Sequence, residues 1–341
     1  MSNSDNNNRQ NQQDENQLNQ LEMQQQYQQY QQQRSPFDRE PERNPRRGKL
    51  LVIMIVIAAL LVGHFGFGAF TAFAPLNLLA GGSPLPADGI RTNQSSLDLT
   101  ISTTSTQVVV ESHSGSDIRI VYTPSRTGRA AEFNYQFSQN GRRLEIAEQT
   151  RAFNFGVNVG RPGTLTVHIP HKSPVFGNLD INVTSGGVRI YGNSSEMLAN
   201  TVNAGSTSGG VFLRDFRAES IAARTTSGSV SLNNISSTSA NITATATSGG
   251  IRAYDINSAR DFIVSATSGG IRIDGGEIQE TLNAGVTSGG VRIENLAVGG
   301  NITASTTSGG IIINNVDVPQ NAMNLSATSG GITVDGQRWS R

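Results

Sequence analysis

Four arginines occupy the same place in a repeated motif, five residues after the threonine of a Thr-Ser-Gly-Gly turn: Arg189, Arg252, Arg272 and Arg292. On an extended chain they point outward, and the acids Asp274 and Glu294 follow two residues later on the same side. A row of guanidiniums can bind an anionic polymer, because Arg pairs with carboxylate and phosphate groups through parallel hydrogen bonds. The interleaved acids favour a second interpretation, in which the row neutralises itself and each exposed pair contributes little. The sequence thus offers one candidate charged interaction stripe.

Residue types that commonly do catalysis or bind metals are absent or scattered. The chain has no cysteine, which excludes disulfides, thiolate metal sites and cysteine nucleophiles. His168 and His171 stand three residues apart across Pro170, a poor geometry for a metal pair. Calcium-binding repeats, EF-hand loops and phosphate-binding loops are all missing, and no serine has a nearby His and Asp to activate it. We therefore expect no catalytic residue, no cofactor, no metal site and no enzymatic activity.

The four arginines belong to a repeat marked by a tetrapeptide, and the fold of that repeat determines where their side chains lie. Thr-Ser-Gly-Gly occurs seven times, and the variant Thr226-Ser227-Gly228-Ser229 makes an eighth copy. Successive copies lie between 19 and 23 residues apart, and self-similarity at a fixed short period is the signature of a solenoid. The turn threonines are Thr184, Thr207, Thr226, Thr247, Thr267, Thr287, Thr307 and Thr328.

Apolar and polar residues alternate on both sides of every turn. The residue after the turn is Val or Ile in all copies, from Val188 to Ile332, and apolar residues recur two positions later. Alternation with a period of two predicts two short strands per repeat with one buried face, and stacking would line like side chains into internal ladders. We predict an all-β fold with a single-stranded β-solenoid, or β-helix, of about eight coils over residues 178–341, each of about 20 residues.

Residues 90–177 are less periodic but keep the same alternation. The pattern predicts strands at Val108–Val110, Asp117–Val121, Asn134–Phe137, Leu144–Ala147 and Leu165–Ile169, with a hairpin turn at Asn140-Gly141. An open solenoid end is a bare sheet edge that invites aggregation. We therefore expect this N-terminal β region to cover the first coil, and the lone Trp339 to cover the last one.

The residues before position 90 predict a membrane anchor. Residues 1–49 form a Gln- and Asn-rich tail with a basic juxtamembrane stretch, and we predict that this tail is disordered. Residues 50–74 contain no Asp, Glu, Lys or Arg and are long enough for one transmembrane helix. The basic flank places the N-terminus in the cytoplasm, although cleavage of a signal peptide after Ala74 is an alternative. Residues 75–89 are predicted to be a linker.

One stretch resembles a known family. The strand Leu165–Pro170, the strand Leu179–Val183 and the turn and strand Thr184–Ile190 are similar to the bacterial putative-adhesin family of β-strand-repeat envelope proteins, a domain of unknown function. The resemblance covers residues 95–336. It implies an envelope location, often behind a membrane anchor, and supplies no catalytic or binding residue.

These observations predict a membrane-anchored extracytoplasmic protein, spanning the bacterial cell membrane once, whose solenoid serves surface or partner interaction such as adhesion. Its expected partners are the membrane and a surface polymer or protein, since zero net charge gives no electrostatic case for nucleic acid. One alternative is a regulatory protein that senses the state of the envelope, although the tail has no helix-turn-helix or kinase pattern. Another is a carbohydrate-active β-helix enzyme, which would need clustered carboxylates and aromatic platforms that the repeats lack.

Overall fold

A computed structural model describes residues 82–94, 96–126, 130–149, 163–171, 175–193 and 197–339 of the chain. The predicted tail at residues 1–49 and the predicted membrane span at residues 50–74 lie outside these described residues. Within them, no helix is long and apolar enough to cross a membrane. The only helical element there is a single 3₁₀ turn at Gln139–Gly141, so this part of the chain is all-β as predicted.

The described residues form 24 strands of one continuous sheet. Those before the first Thr-Ser-Gly-Gly corner are β1 (Ser83–Pro84), β2 (Ile90–Thr92), β3 (Leu97–Thr103), β4 (Gln107–His113), β5 (Ile118–Thr123), β6 (Phe133–Ser138), β7 (Arg143–Glu148), β8 (Thr164–Pro170) and β9 (Phe176–Val183). Those after it are β10 (Val188–Tyr191), β11 (Met197–Ser206), β12 (Val211–Thr225), β13 (Val230–Ser237), β14 (Ile242–Ala246), β15 (Ile251–Ser258), β16 (Phe262–Ser268), β17 (Ile271–Ile278), β18 (Leu282–Ser288), β19 (Val291–Val298), β20 (Ile302–Ser308), β21 (Ile311–Asp317), β22 (Met323–Ser329), β23 (Ile332–Val334) and β24 (Gln337–Arg338).

Successive repeats stack in parallel and in register. The strands that follow the corners form one ladder, made of β10, β12, β13, β15, β17, β19, β21 and β23. The strands that precede the corners form a second ladder, made of β9, β11, the end of β12, β14, β16, β18, β20 and β22. The solenoid has about seven turns instead of the predicted eight coils, because eight corners enclose only seven complete turns.

The alternation predicted from the sequence places the Val or Ile that directly follows each of the first seven corners in the interior. The residues directly after the corners are at most 2% exposed from Val188 to Ile311, and they stack on one another along the axis. Removing such a side chain from water contributes about 1.5–3 kcal/mol. The repeat therefore supplies a continuous core that no single coil can build alone.

Each turn also contains a bend that the sequence analysis did not predict. Six of the strands after the corners, β12, β13, β15, β17, β19 and β21, contain a residue with left-handed backbone and φ between 51° and 84°: Asp215, Asn234, Asp255, Gly275, Asn295 and Asn315. Asn, Asp and Gly adopt this conformation more readily than other residues. The bend resets the alternation, so that Ala253 and Ile256 are both buried although they are three positions apart, an odd spacing that would place them on opposite faces of a regular strand. A turn of the solenoid thus has three extended segments.

The N-terminal β region closes one end, as expected from the sequence. Strands β3 and β4 form an additional coil, with β9 and β10 stacked on one side and β7 and β8 on the other. Beyond them the direction reverses, because β5 and β6 run antiparallel to β8 and β7, and β2 and β1 extend this antiparallel layer. The predicted hairpin turn at Asn140-Gly141 joins β6 to β7, with φ of 57° and 84°.

A short hairpin caps part of the other end. Asp335 and Gly336, with φ of 47° and 76°, turn the chain so that β24 pairs antiparallel with β23. Positive φ at both central residues is the geometry that favours an Asp-Gly hairpin. The Trp339 ring packs against the core, and its backbone N–H donates to the Ile332 carbonyl at 2.9 Å. The lone tryptophan therefore covers the last coil, as predicted.

Candidate interaction surface

The strands that follow the corners present two outward columns of side chains, which together are called the arginine face. The first column contains Val109, Arg189, Phe212, Ser231, Arg252, Arg272, Arg292, Ile312 and Thr333. The second contains Tyr191, Arg214, Asn233, Tyr254, Asp274, Glu294 and Asn314. All four arginines of the candidate stripe lie in the first column. They do not form an unbroken row, since Phe212 and Ser231 separate Arg189 from Arg252.

On β17 and β19, the arginines of the arginine face are paired with acids of the same face. Arg272 Nη2 lies 3.0 Å from Asp274 Oδ2 and 3.2 Å from Glu294 Oε2. Arg292 Nη1 lies 3.1 Å from the other oxygen of Glu294. Two cations therefore share two carboxylates, which is the self-neutralising arrangement that the interleaved acids suggested.

The pKa values of this cluster follow from the same contacts. The side-chain amide of Asn295 donates to Asp274 Oδ1 at 2.8 Å, and this bond together with the Arg272 guanidinium holds the pKa of Asp274 below its usual value. The hydrogen bond to Asp274 in turn raises the pKa of Arg272 above its ordinary value. Both groups stay charged at neutral pH, so the part of the face on β17 and β19, with two arginines and two acids, has no net charge that could attract a ligand.

Arg189 and Arg252 differ from the other two arginines in the residue that stands two positions later. That residue is Asp274 after Arg272 and Glu294 after Arg292, whereas it is Tyr191 after Arg189 and Tyr254 after Arg252. Both guanidiniums are exposed, and in the described part of the chain neither has a carboxylate within ion-pair distance. Their charge is therefore available to a ligand.

Aromatic rings lie beside these two arginines, Tyr191 and Tyr254 on the same strands and Phe212 on a strand between them. The rings of Tyr191 and Phe212 are 5.7 Å apart at 50°, and the Arg272 guanidinium carbon lies 6.0 Å from the centre of the Tyr254 ring. The rings are dispersed in sequence and only partly exposed, and strand register brings Tyr191 and Phe212 together. Comparing residues at the same offset from each corner would have found them.

The Arg-Tyr patch is defined here as the four strands of the arginine face that run from Arg189 to Arg252. Within the patch, Arg214 Nε lies 2.9 Å from Asp215 Oδ2, and Asp215 Oδ1 accepts a hydrogen bond from the Asn234 amide at 2.8 Å. The patch residues are Arg189, Tyr191, Phe212, Arg214, Ser231, Asn233, Arg252 and Tyr254.

The histidines form a separate group at the N-terminal end. His168 Nδ1 lies 3.3 Å from Glu111 Oε1, and the His113 ring centre is 6.0 Å from that of His168. His113 accepts a hydrogen bond from the Gly115 N–H at Nδ1, which leaves its Nε2 to donate to the Asp117 carbonyl at 2.7 Å. Over the described ranges, no three His, Asp or Glu side chains are arranged to hold a metal ion. His64 lies outside those ranges.

Comparison with known proteins gives a family and two structural neighbours. The sequence model of the Toastrack DUF4097 family matches residues 97–340. A putative cell adhesion protein from Clostridium sporogenes is 10% identical, with 74% of this chain and 99% of that chain covered and a TM-score of 0.32. A putative adhesin from Bacteroides fragilis is 14% identical, with 72% and 94% covered and a TM-score of 0.37. Among the curated proteins, none matches this sequence.

The family match spans the N-terminal β region from β3 onward and every Thr-Ser-Gly-Gly corner. It agrees with the resemblance to adhesin-like domains of unknown function that the strand and turn motifs indicated. Through this match, which covers more than half of the sequence, the chain belongs to the Toastrack DUF4097 family.

Proposed function

We propose that this protein is a membrane-anchored extracytoplasmic interaction module that displays its solenoid to a surface polymer or protein of the bacterial envelope, without catalytic activity. The observation that supports this proposal most is the register of the arginine face. Backbone ladders fix exposed side chains at a repeat of about 4.8 Å, so the surface is ordered before a partner arrives. A rigid repetitive surface suits many weak contacts made in parallel.

The anchoring part of the proposal rests on the sequence of residues 50–74. A stretch of this length without acidic or basic residues, preceded by arginines, is typical of a single membrane-spanning helix with its N-terminus inside. The solenoid would then stand outside the membrane. Adhesion is the form of interaction that this arrangement favours, because an anchored rod can hold its cell against a surface.

Two deletions test the anchor and the interaction separately. We expect the full-length chain, purified in detergent, to bind saturably to envelopes isolated from the producing bacterium. Deleting residues 50–74 should move the chain from the membrane fraction to the soluble fraction. Deleting residues 1–49 should leave binding unchanged, whereas a signalling protein would lose its response. Absence of saturable binding would overturn the interaction role, and membrane retention without residues 50–74 would overturn the anchor.

A further inference from the structure

We infer that the Arg-Tyr patch binds an acidic polysaccharide. Arg189 and Arg252 bind carboxylates of the polymer, and the rings of Tyr191, Phe212 and Tyr254 contact its sugar rings. This inference rests on the proposed function, because it names the class of partner for the same face.

Charge gives the first part of the argument. The patch has three arginines, and only Arg214 has a carboxylate partner, Asp215. An exposed guanidinium without an internal partner presents donors in a fork that fits a carboxylate. The neighbouring Arg272 and Arg292 cannot serve in the same way, because Asp274 and Glu294 already accept their hydrogen bonds.

The rings give the second part. The ring centres of Tyr191 and Phe212 lie 5.7 Å apart and both side chains are half-buried, so each ring is held in place by its neighbours. Flat rings beside polar groups are what a sugar-binding surface needs, because a sugar has both C–H and hydroxyl groups. Ser231 and Asn233 lie between the two arginines and supply a hydroxyl and an amide that both donate and accept hydrogen bonds.

Spacing gives the third part. The pairs Arg189 with Tyr191 and Arg252 with Tyr254 occupy the same two columns and stand three strands apart in register. That separation is about 14 Å at the usual strand spacing. Two unpaired arginines at a fixed distance along one axis match a polymer that repeats an acidic ring, and binding at the second arginine follows at high effective concentration.

The same features disfavour the other macromolecules. Two unpaired cations release few counterions, which gives little of the electrostatic affinity that nucleic acids require. The patch measures about 14 Å by about 7 Å, far below the roughly 800 Å² per partner of a stable protein interface. A repeating acidic glycan needs only short, repeated contacts of this size.

Polygalacturonate and its methyl ester provide matched probes, because they share a backbone and differ in charge. We expect the full-length chain in detergent to bind polygalacturonate and to bind the methyl ester at least about tenfold more weakly, as expected for loss of a charge-assisted bond. Arg252→Gln should weaken binding about tenfold. Arg292→Gln removes the same charge from the same column and should change binding less than about twofold, since Arg292 is already paired.

The outcomes separate the alternatives. Equal losses in the Arg252 and Arg292 variants, or equal binding of the two polymers, would overturn the inference in favour of diffuse contact. Stronger binding of oligothymidylate than of polygalacturonate would overturn it in favour of single-stranded nucleic acid. Failure to bind polygalacturonate, with saturable envelope binding retained, would reject the acidic glycan and leave the interaction role intact. Unchanged thermal midpoints would show that both variants remain folded.

Discussion

At the scale of single residues, the side chain two positions after an exposed arginine decides whether that arginine is already paired or is available to a ligand. The four arginines of the arginine face share one column, one side-chain type and one offset from the corner. Arg272 and Arg292 form ion pairs with the acids two residues later, whereas Arg189 and Arg252 have tyrosines at that position. Because side chains two apart lie on one side of a strand, a single substitution switches such an arginine between internal pairing and availability.

A buried glutamate, Glu148, accepts hydrogen bonds from the corner between β3 and β4. Glu148 is 7% exposed, and its Oε2 accepts the backbone N–H groups of Thr104, Ser105 and Thr106 at 2.8 to 3.1 Å. Its Oε1 accepts the Ser105 hydroxyl at 2.7 Å. Three backbone donors converging on one carboxylate make a strong acceptor site, in a corner where the sequence has no Gly-Gly.

We expect Glu148→Gln to lower the free energy of unfolding by about 1–3 kcal/mol, because the amide cannot accept these bonds with a full charge and brings donors of its own. Chemical denaturation followed by circular dichroism measures the change. Glu145→Gln on the same strand is the control, since Glu145 forms an exposed ion pair with Arg143 at 2.8 Å and should cost less than about 1 kcal/mol. Equal effects of the two substitutions would contradict a special role for Glu148.

At the scale of elements, the corners stack so closely that they exclude side chains. Gly289 and Gly309 both have φ of 145°, and a Cβ added to either would overlap the carbonyl of the preceding corner's glycine. The glycine is therefore required both for its backbone conformation and for the space between corners. Gly331, in the last corner, has nothing within 4 Å of an added Cβ.

We predict that Gly289→Ala lowers the free energy of unfolding by more than about 2 kcal/mol, because the backbone of two corners has to move apart. Gly331→Ala should change it by no more than about 0.5 kcal/mol. Thermal melts of both variants provide the comparison. A tolerated Gly289→Ala would mean that the corners can separate without cost.

The same elements show how far the sequence predicts the fold. The corners and the Val or Ile that follows them were predictable, because their signal repeats every 20 residues and depends on local alternation. The left-handed bend was not, since Asp255 or Asn295 in a polar stretch is equally typical of any exposed turn. The Arg-Tyr patch was not predictable for a different reason. Phe212 lies beside Tyr191 only because β10 pairs with β12, and this pairing is not visible in the local sequence.

At the scale of the whole molecule, each coil contacts mainly the coils beside it. The ladders pair β15 with β17 and β17 with β19, and the paired residues in both are 20 positions apart in the sequence. Stability of such a stack is close to a sum of repeat and neighbour terms. One coil can then be removed without disturbing the register of the rest.

Deleting Ile271–Gly290 joins Gly270 to Val291, the residue that Ile271 matches in register. We expect a folded protein whose rod is shorter by about 4.8 Å and whose melting temperature is lower, because one neighbour interface is lost. Circular dichroism and small-angle X-ray scattering report both properties. Deleting only residues 281–290 breaks the register and should prevent folding of the C-terminal coils. If the two deletions behaved alike, the coils would not be independent units.

The position of β3 and β4, between β7 and β8 on one side and β9 and β10 on the other, has a consequence for the order in which the protein assembles during synthesis. These strands leave the ribosome before their partners β7 to β9, and the Asn178 N–H donates to Asp98 on β3 across 80 residues, whereas bonds between later coils, such as Thr281 to Asp261, span 20. Pairings distant in sequence form slowly. The N-terminal strands must therefore wait for β7 to β9, after which each new coil can add to a finished template as it emerges.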